Sequence, residues 1–209
     1  MTILIFGDSI TYGACDNEGG WVKRLRKFLD DKNLSDESDF SVYNLGINGD
    51  NTEALLKRFE QEIRIRFDSK EKTIFIFAIG INDSQFIPTK NSFRVPLENF
   101  KNNILFLISR VKQFSGKIIF VGLTPIKELK TTPIPWDTDK FYKNEYIQKY
   151  DEIIKKVCEE NDLLFIEVFD QLKGNENLSE DGLHPNSEGH RKIFEIVKDF
   201  FIINKIIVN

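Results

Sequence analysis

Four short polar segments carry the side chains that could do covalent chemistry. The first is Gly7-Asp8-Ser9, which directly follows an apolar run at residues 3–6. A glycine and a short polar pair after such a run make a sharp turn. That turn would present the Ser9 hydroxyl at the end of the run. Serine is a weak nucleophile until a base takes its proton, and Gly-Asp-Ser is also a common inert turn. A base therefore has to be found elsewhere in the chain. Asp181-Gly182-Leu183-His184-Pro185 offers one. Its spacing lets a turn bring the Asp181 carboxylate beside the His184 ring, where it would fix the tautomer, stabilise the imidazolium and leave the other nitrogen free as base. The competing reading is a polar turn before a helix, with Pro185 opening the helix. The chain has only two histidines, and His190 has no carboxylate in a comparable turn. His190 is expected to be a surface or satisfied structural residue, and Asp8 to bond local backbone groups.

The other two segments could stabilise negative charge. In Asn48-Gly49-Asp50, Asp50 and Glu53 have the spacing of a capping box, so a helix is expected to begin there. The Gly49 N–H would then lie at a helix N-terminus, where partial positive charge favours an oxyanion. Glycine also lets a substrate approach the backbone closely. A plain turn glycine is the alternative, and Gly46 competes for the same role. In Gly80-Ile81-Asn82-Asp83, the Asn82 amide could donate to a developing oxyanion; a cap or turn is again the other reading.

These segments must be held by something, and the hydrophobic pattern says what. Residues 3–6, 40–45, 73–79, 117–123 and 163–169 read as strands, and the nearly continuous apolar run at 73–79 suits a strand buried on both faces. Between them, apolar residues recur at helical spacing. Trp21, Val22, Leu25, Phe28 and Leu29 form one such set; Leu55, Leu56, Phe59 and Ile63 form a second. Leu97, Phe100, Ile104, Leu107, Ile108 and Val111 mark a long helix, residues 146–157 another, and Ile193, Phe194, Val197 and Phe200 a last one. Residues 202–208 extend that helix or add a strand. Five β–α repeats predict a parallel sheet with helices on both faces, a three-layer α/β/α fold. The four polar segments follow strands one, two, three and five, so all four should meet at the carboxyl edge of the sheet, where ligands bind in such folds.

Composition narrows the field. The 209 residues suit one domain, residues 1–209, with one sizeable core. A net charge of −4 without basic runs gives no electrostatic reason to expect nucleic acid. No apolar stretch reaches the ~18–20 residues of a membrane span. The run at 3–6 is too short for a secretory leader, and cleavage there would remove the first strand, so a cytoplasmic location is expected. Two cysteines make neither a disulfide framework nor a zinc site. Cys158 is expected to be a buried thiol, and Cys15 a structural residue near the Ser9 turn. The residues leave the oligomeric state open.

Taken in order, Gly7-Asp8-Ser9, Gly49, Gly80-x-Asn82-Asp83 and Asp181-x-x-His184 resemble the four blocks of the SGNH/GDSL hydrolase family. The resemblance runs from residue 7 to residue 185, and Gly19-Gly20-Trp21 is similar to the segment that follows the first block in many bacterial members. It implies a flavodoxin-like sheet of order 2-1-3-4-5, with Ser9, Gly49, Asn82 and His184 as the four named residues and Asp181 completing a triad. It implies a serine esterase acting on a small-molecule ester: Ser9 attacks, His184 is the base, and the Ser9 N–H, Gly49 N–H and Asn82 amide hold the oxyanion. No metal or organic cofactor is required. An acyltransferase with the same triad, a flavodoxin-like nucleotide or phosphate binder and a catalytically silent binding module are the alternatives. The absence of G-x-G-x-x-G and Walker patterns counts against the binder. Substrate residues are sought in the proline-containing stretch 124–142, where Trp136, Phe141 and Tyr142 are expected to wall an acyl or sugar pocket or, alternatively, to pack the loop.

Overall fold

The computed structural model describes residues 1–35, 39–174 and 181–207. Its centre is a five-stranded parallel sheet made of β1 (Thr2–Gly7), β2 (Ser41–Gly46), β3 (Thr73–Ala78), β6 (Lys117–Val121) and β7 (Leu164–Ile166), in the order β2-β1-β3-β6-β7. Setting aside the two short strands β4 (Phe86–Ile87) and β5 (Ser92–Phe93), which form a separate antiparallel pair, this is the expected order 2-1-3-4-5. Residues 3–6 lie within β1, which is paired on both sides. The strand register aligns Phe6, Phe77, Phe120 and Phe165 across four strands. Phe6 stacks on Phe77 at 5.4 Å between centroids, and Phe77 meets Phe120 at 5.3 Å. This row of rings lies one residue before the carboxyl ends of the four strands.

Helices cover both faces. α2 (Gly20–Ser35) packs against α8 (Ser187–Ile203) on one side; α3 (Thr52–Arg66), α4 (Leu97–Val111) and α6 (Asn144–Glu160) pack in sequence on the other. Their stripes follow the helical period: Ile147, Tyr150, Ile154, Val157 and Cys158 are buried along α6. Cys158 is thus the buried thiol expected. Among the described residues, no helix is long and apolar enough to cross a membrane.

Short elements depart from the sequence reading. Ser9–Tyr12 is a one-turn helix, α1, capped by Asp8, whose Oδ1 accepts from the Ile10 N–H at 2.9 Å. The expected fifth strand at 163–169 is only Leu164–Ile166; Val168 and Phe169 stay buried because the chain turns into the short α7 (Phe169–Leu172) against the core. Stretch 82–95 folds back on itself through the β4–β5 hairpin, and stretch 124–142 contains α5 (Glu128–Thr131). The tail continues α8 to Ile203 and then tucks Ile206 and Ile207 into the core, so no extra strand forms to residue 207; Val208 lies outside the described residues.

Candidate active site

The carboxyl edge of the sheet brings the four polar segments together. Ser9 is the first residue of α1, lifted off the end of β1 by the Asp8 cap. Where β2 ends, it passes so close to α1 that a Cβ on Gly46 would stand 2.4 Å from the Tyr12 nitrogen and 2.8 Å from the Asp8 carbonyl oxygen. Gly46 therefore serves close packing behind the Ser9 turn, and its N–H is taken by Asn44 Oδ1 at 3.0 Å.

His184 lies in the turn that precedes α8. The Asp181 Oδ1 accepts from the Leu183 and His184 N–H groups at 2.9 and 3.0 Å, which winds the turn tightly. The second carboxylate oxygen lies 2.6 Å from His184 Nδ1, and His184 Nε2 lies 2.9 Å from Ser9 Oγ. The three groups thus stand in line, acid to imidazole to hydroxyl. The Asp181 contact fixes the proton on Nδ1 and leaves Nε2 as an acceptor facing Ser9. His190, by contrast, is fully buried and points Nε2 at the Ala14 carbonyl, 3.2 Å away; burial holds its pKa below the ordinary value. It is interior rather than on the surface, and only half satisfied, since its buried Nδ1 meets no hydrogen-bond partner among the described residues.

Gly49 stands in the turn between β2 and α3 with φ at +76°, a conformation that favours glycine. The capping box expected of Asp50 and Glu53 does not form. Asn51 caps α3 instead, accepting from the Ala54 N–H at 2.9 Å, because Asp50 is held by Arg58 at 2.6 Å. Gly49 accordingly lies outside the helix, two residues before its cap. Arg58 also donates to the Leu45 carbonyl at 2.8 Å, tying the turn to the end of β2. Two neighbouring side chains after β3 clamp the same turn from the other side. Asn82 Nδ2 donates to the Asp50 carbonyl at 2.8 Å, and both Asp83 oxygens accept from the Thr52 N–H at 3.1 Å.

Buried carboxyls surround this edge. Asp8 and Asp83 have pKa values pushed up to about 7, in each case chiefly by burial. Among the described residues, Cys15, Asp181 and His184 form the one group whose donor atoms lie close enough to share a metal ion. Within it, the His184 ring and the Cys15 sulfur both face the same carboxylate oxygen, Asp181 Oδ2. Cys15 is exposed, with its sulfur 3.8 Å from Asp181 Oδ2.

An open cleft of about 510 Å³ lies over this edge, and Ser9, Gly49, Asn82 and His184 all line it. Of the three aromatics sought in stretch 124–142, Trp136 lines the cleft and is 57% exposed. Tyr142 lies at its floor, 1% exposed, with its hydroxyl bonded to Asn82. Phe141 does not line it; its main chain forms a bridge with Phe86. Arg94, Gln85 and Lys140, which sequence reasoning passed over, line the cleft as well. All three come from irregular stretches where no periodicity signals a role.

The sheet order and the site at its carboxyl edge define the class: the chain has the α/β fold of SGNH/GDSL hydrolases. It belongs to the GDSL-like lipase/acylhydrolase family, whose sequence model matches residues 5–192. A multidomain esterase of Ruminococcus flavefaciens is 25% identical over 226 residues, covering 92% of this chain and 27% of that one. The crystal structure of the lipase/acylhydrolase from Enterococcus faecalis superposes with a TM-score of 0.73 at 21% identity, over 96% of this chain and 94% of that one. An acetyl xylan esterase, AlAXEase, gives a TM-score of 0.73 at 21% identity, over 97% and 100% of the two chains. At such identities the structures show the fold. The chain spans about half the length of one curated relative it matches, 49%, and about a quarter of the other, 27%.

Proposed function

We propose that the chain is a serine esterase that removes a short acyl group from a polar alcohol. The observation that carries this reading is the line of contacts from Asp181 through His184 to Ser9 Oγ, at 2.6 and 2.9 Å, at the floor of an open cleft. In the proposed reaction His184 Nε2 takes the Ser9 proton as Oγ attacks the ester carbonyl. The negative charge then builds on the former carbonyl oxygen, toward the Ser9 and Gly49 N–H groups and the Asn82 amide. The imidazolium formed is stabilised by Asp181 and gives its proton to the departing alkoxide. Water, activated by the same nitrogen, then releases the acyl group from Ser9.

The cleft supports the substrate class. Polar side chains, Asn48, Gln85, Arg94, Asp137 and Lys140 among them, line it together with Ile134 and Leu183, and Trp136 stands as an exposed aromatic plate. Such a surface suits a hydroxyl-rich leaving group stacked on one ring and held by the polar side chains around it. An acetylated sugar fits it, in keeping with the acetyl xylan esterase among the structural neighbours. The test is a panel of p-nitrophenyl esters from acetate to laurate beside acetylated xylo-oligosaccharides, with Ser9→Ala as the blank. The reading expects turnover of the acetyl substrates, declining with acyl length and absent from Ser9→Ala. Equal turnover by Ser9→Ala, or none on any ester by the wild type, would overturn it.

A further inference from the structure

Beneath the cleft, four side chains join into one chain of hydrogen bonds whose direction is forced at both ends. At one end is the Asp50 carbonyl, which can only accept, so the Asn82 atom 2.8 Å from it is Nδ2 and Oδ1 faces the other way. Oδ1 can only accept, so the Tyr142 hydroxyl, 2.6 Å away, donates its one hydrogen to it. The Tyr142 oxygen is then left to accept, and Gln85 meets it with Nε2 at 2.7 Å. Gln85 Oε1 consequently faces the Arg94 guanidinium, which has only donors, at 3.3 Å. A carbonyl and a cation thus fix the orientation of both amides and the hydroxyl between them.

We infer that Arg94, Gln85 and Tyr142 form a one-way hydrogen-bond relay that orients and polarises the Asn82 amide, and that Tyr142 is a positioning residue for the oxyanion donor. The inference rests on the function proposed above and adds to it the device that aims one of its groups. One Nδ2 hydrogen is spent on Asp50, which leaves the other to serve the cleft that Asn82 lines. Gln85, Tyr142 and Asn82 are 5%, 1% and 5% exposed. In so dry a setting each donated bond strengthens the next, by an amount on the order of 10–30% per bond. Burial also raises the Tyr142 phenol well above its ordinary pKa, so the hydroxyl keeps the proton it donates. The outer end is anchored twice, because Arg94 also donates to the Gly49 carbonyl at 3.1 Å. The same cation therefore steadies the backbone of the second oxyanion donor. Tyr142 lines the cleft, but its hydroxyl is engaged as both donor and acceptor within the relay.

The test is a double-mutant cycle on p-nitrophenyl acetate. Tyr142→Phe keeps the ring and removes the donor; it should lower kcat about tenfold, part of the 10²–10³ attached to losing such a donor outright, with KM within about twofold. In an Asn82→Ala background the same substitution should change kcat by less than about twofold, because the group it serves is gone. Gln85→Leu should repeat the pattern with a smaller loss. A tenfold loss in both backgrounds would make Tyr142 a packing residue and overturn the inference, as would wild-type kcat in Tyr142→Phe. A second readout is independent of turnover: the side-chain amide resonance of Asn82 in a ¹H–¹⁵N spectrum. The relay expects Tyr142→Phe to shift that signal and to speed its exchange with water, and an unchanged signal counts against it. A wild type inactive on every ester would sink the proposed function, while this spectrum would still decide the relay.

Discussion

Asp151→Asn should make the protein more stable at neutral pH, and the gain should vanish in acid. Asp151 lies on α6 with Oδ1 accepting from the Leu123 N–H at 2.7 Å, at the point where stretch 124–142 leaves the sheet. Burial pushes its carboxyl up from 3.8 to about 7, and the charge of Glu167 adds to the rise. Between those two values the native state holds a proton that the unfolded chain has released. Stability therefore falls as pH rises, by about 1.4 kcal/mol per unit, and levels off above the folded pKa. From pH 4.5 to 7.5 the loss due to this one group is about 3 kcal/mol. Asparagine keeps the oxygen that Leu123 needs and cannot ionise. Thermal melts of wild type and variant at both pH values give the assay. The variant's advantage should be larger at pH 7.5 by about 6–12 °C, taking ~2–4 °C per kcal/mol for a chain of this size. The raised carboxyls of Asp8 and Asp83 act in the same direction but are present in both proteins and cancel. A difference in melting temperature that is the same at both pH values would refute the reasoning.

Three further outcomes concern activity. Ser9→Ala and His184→Ala should each cost on the order of 10⁴–10⁶ in turnover, with the double variant scarcely worse, since such groups act as a unit; a folded His184→Ala retaining a tenth of wild-type turnover would remove His184 from the reaction. Asn82→Ala should lower kcat by roughly 10²–10³ with KM within a few-fold, and a strong rise in KM at constant kcat would make it a ground-state binder instead. Trp136→Ala should change the kcat/KM ratio between acetyl esters of small and sugar alcohols while leaving the melting temperature within about 2 °C, because the ring is 57% exposed; a uniform loss with a lower melting temperature would make it a packing residue.

The parallel sheet was legible because its strands are short apolar runs between helical stripes, and a parallel connection needs a crossover helix. Elements of two to four residues were not. The α1 turn and the β4–β5 hairpin are too short for any hydrophobic period to show, and the hairpin is further fastened by its bridge to Phe141. The α3 cap illustrates the limit of local chemistry. Asp50 and Asn51 are both good caps by type, and what chooses between them is Arg58, eight residues on, which takes Asp50 as its ion-pair partner. The same division runs through the site. Asp181 and His184 meet within one turn, so their spacing exposes them. Gln85 and Tyr142 are 57 residues apart in irregular stretches and meet only because two loops fold over one edge. Residue type is enough to place Tyr142 beside the cleft, but a buried hydroxyl also needs a partner, and the partner cannot be read from the chain.

The bridge between Phe86 and Phe141 bears on how such a cleft can be rebuilt. Each residue donates its N–H to the other's carbonyl at 2.9 Å, and Thr89 reaches across to Asp139 at 2.6 Å. The segment carrying Arg94 and the segment carrying Trp136 are therefore fastened to each other as well as to the sheet. For engineering they behave as a paired cassette. Grafting either loop alone from another scaffold would strand one main-chain donor and one acceptor on the loop left behind and unseat it. Exchanging both together leaves the sheet edge, with Ser9 and His184, as a fixed socket into which a different cleft can be fitted.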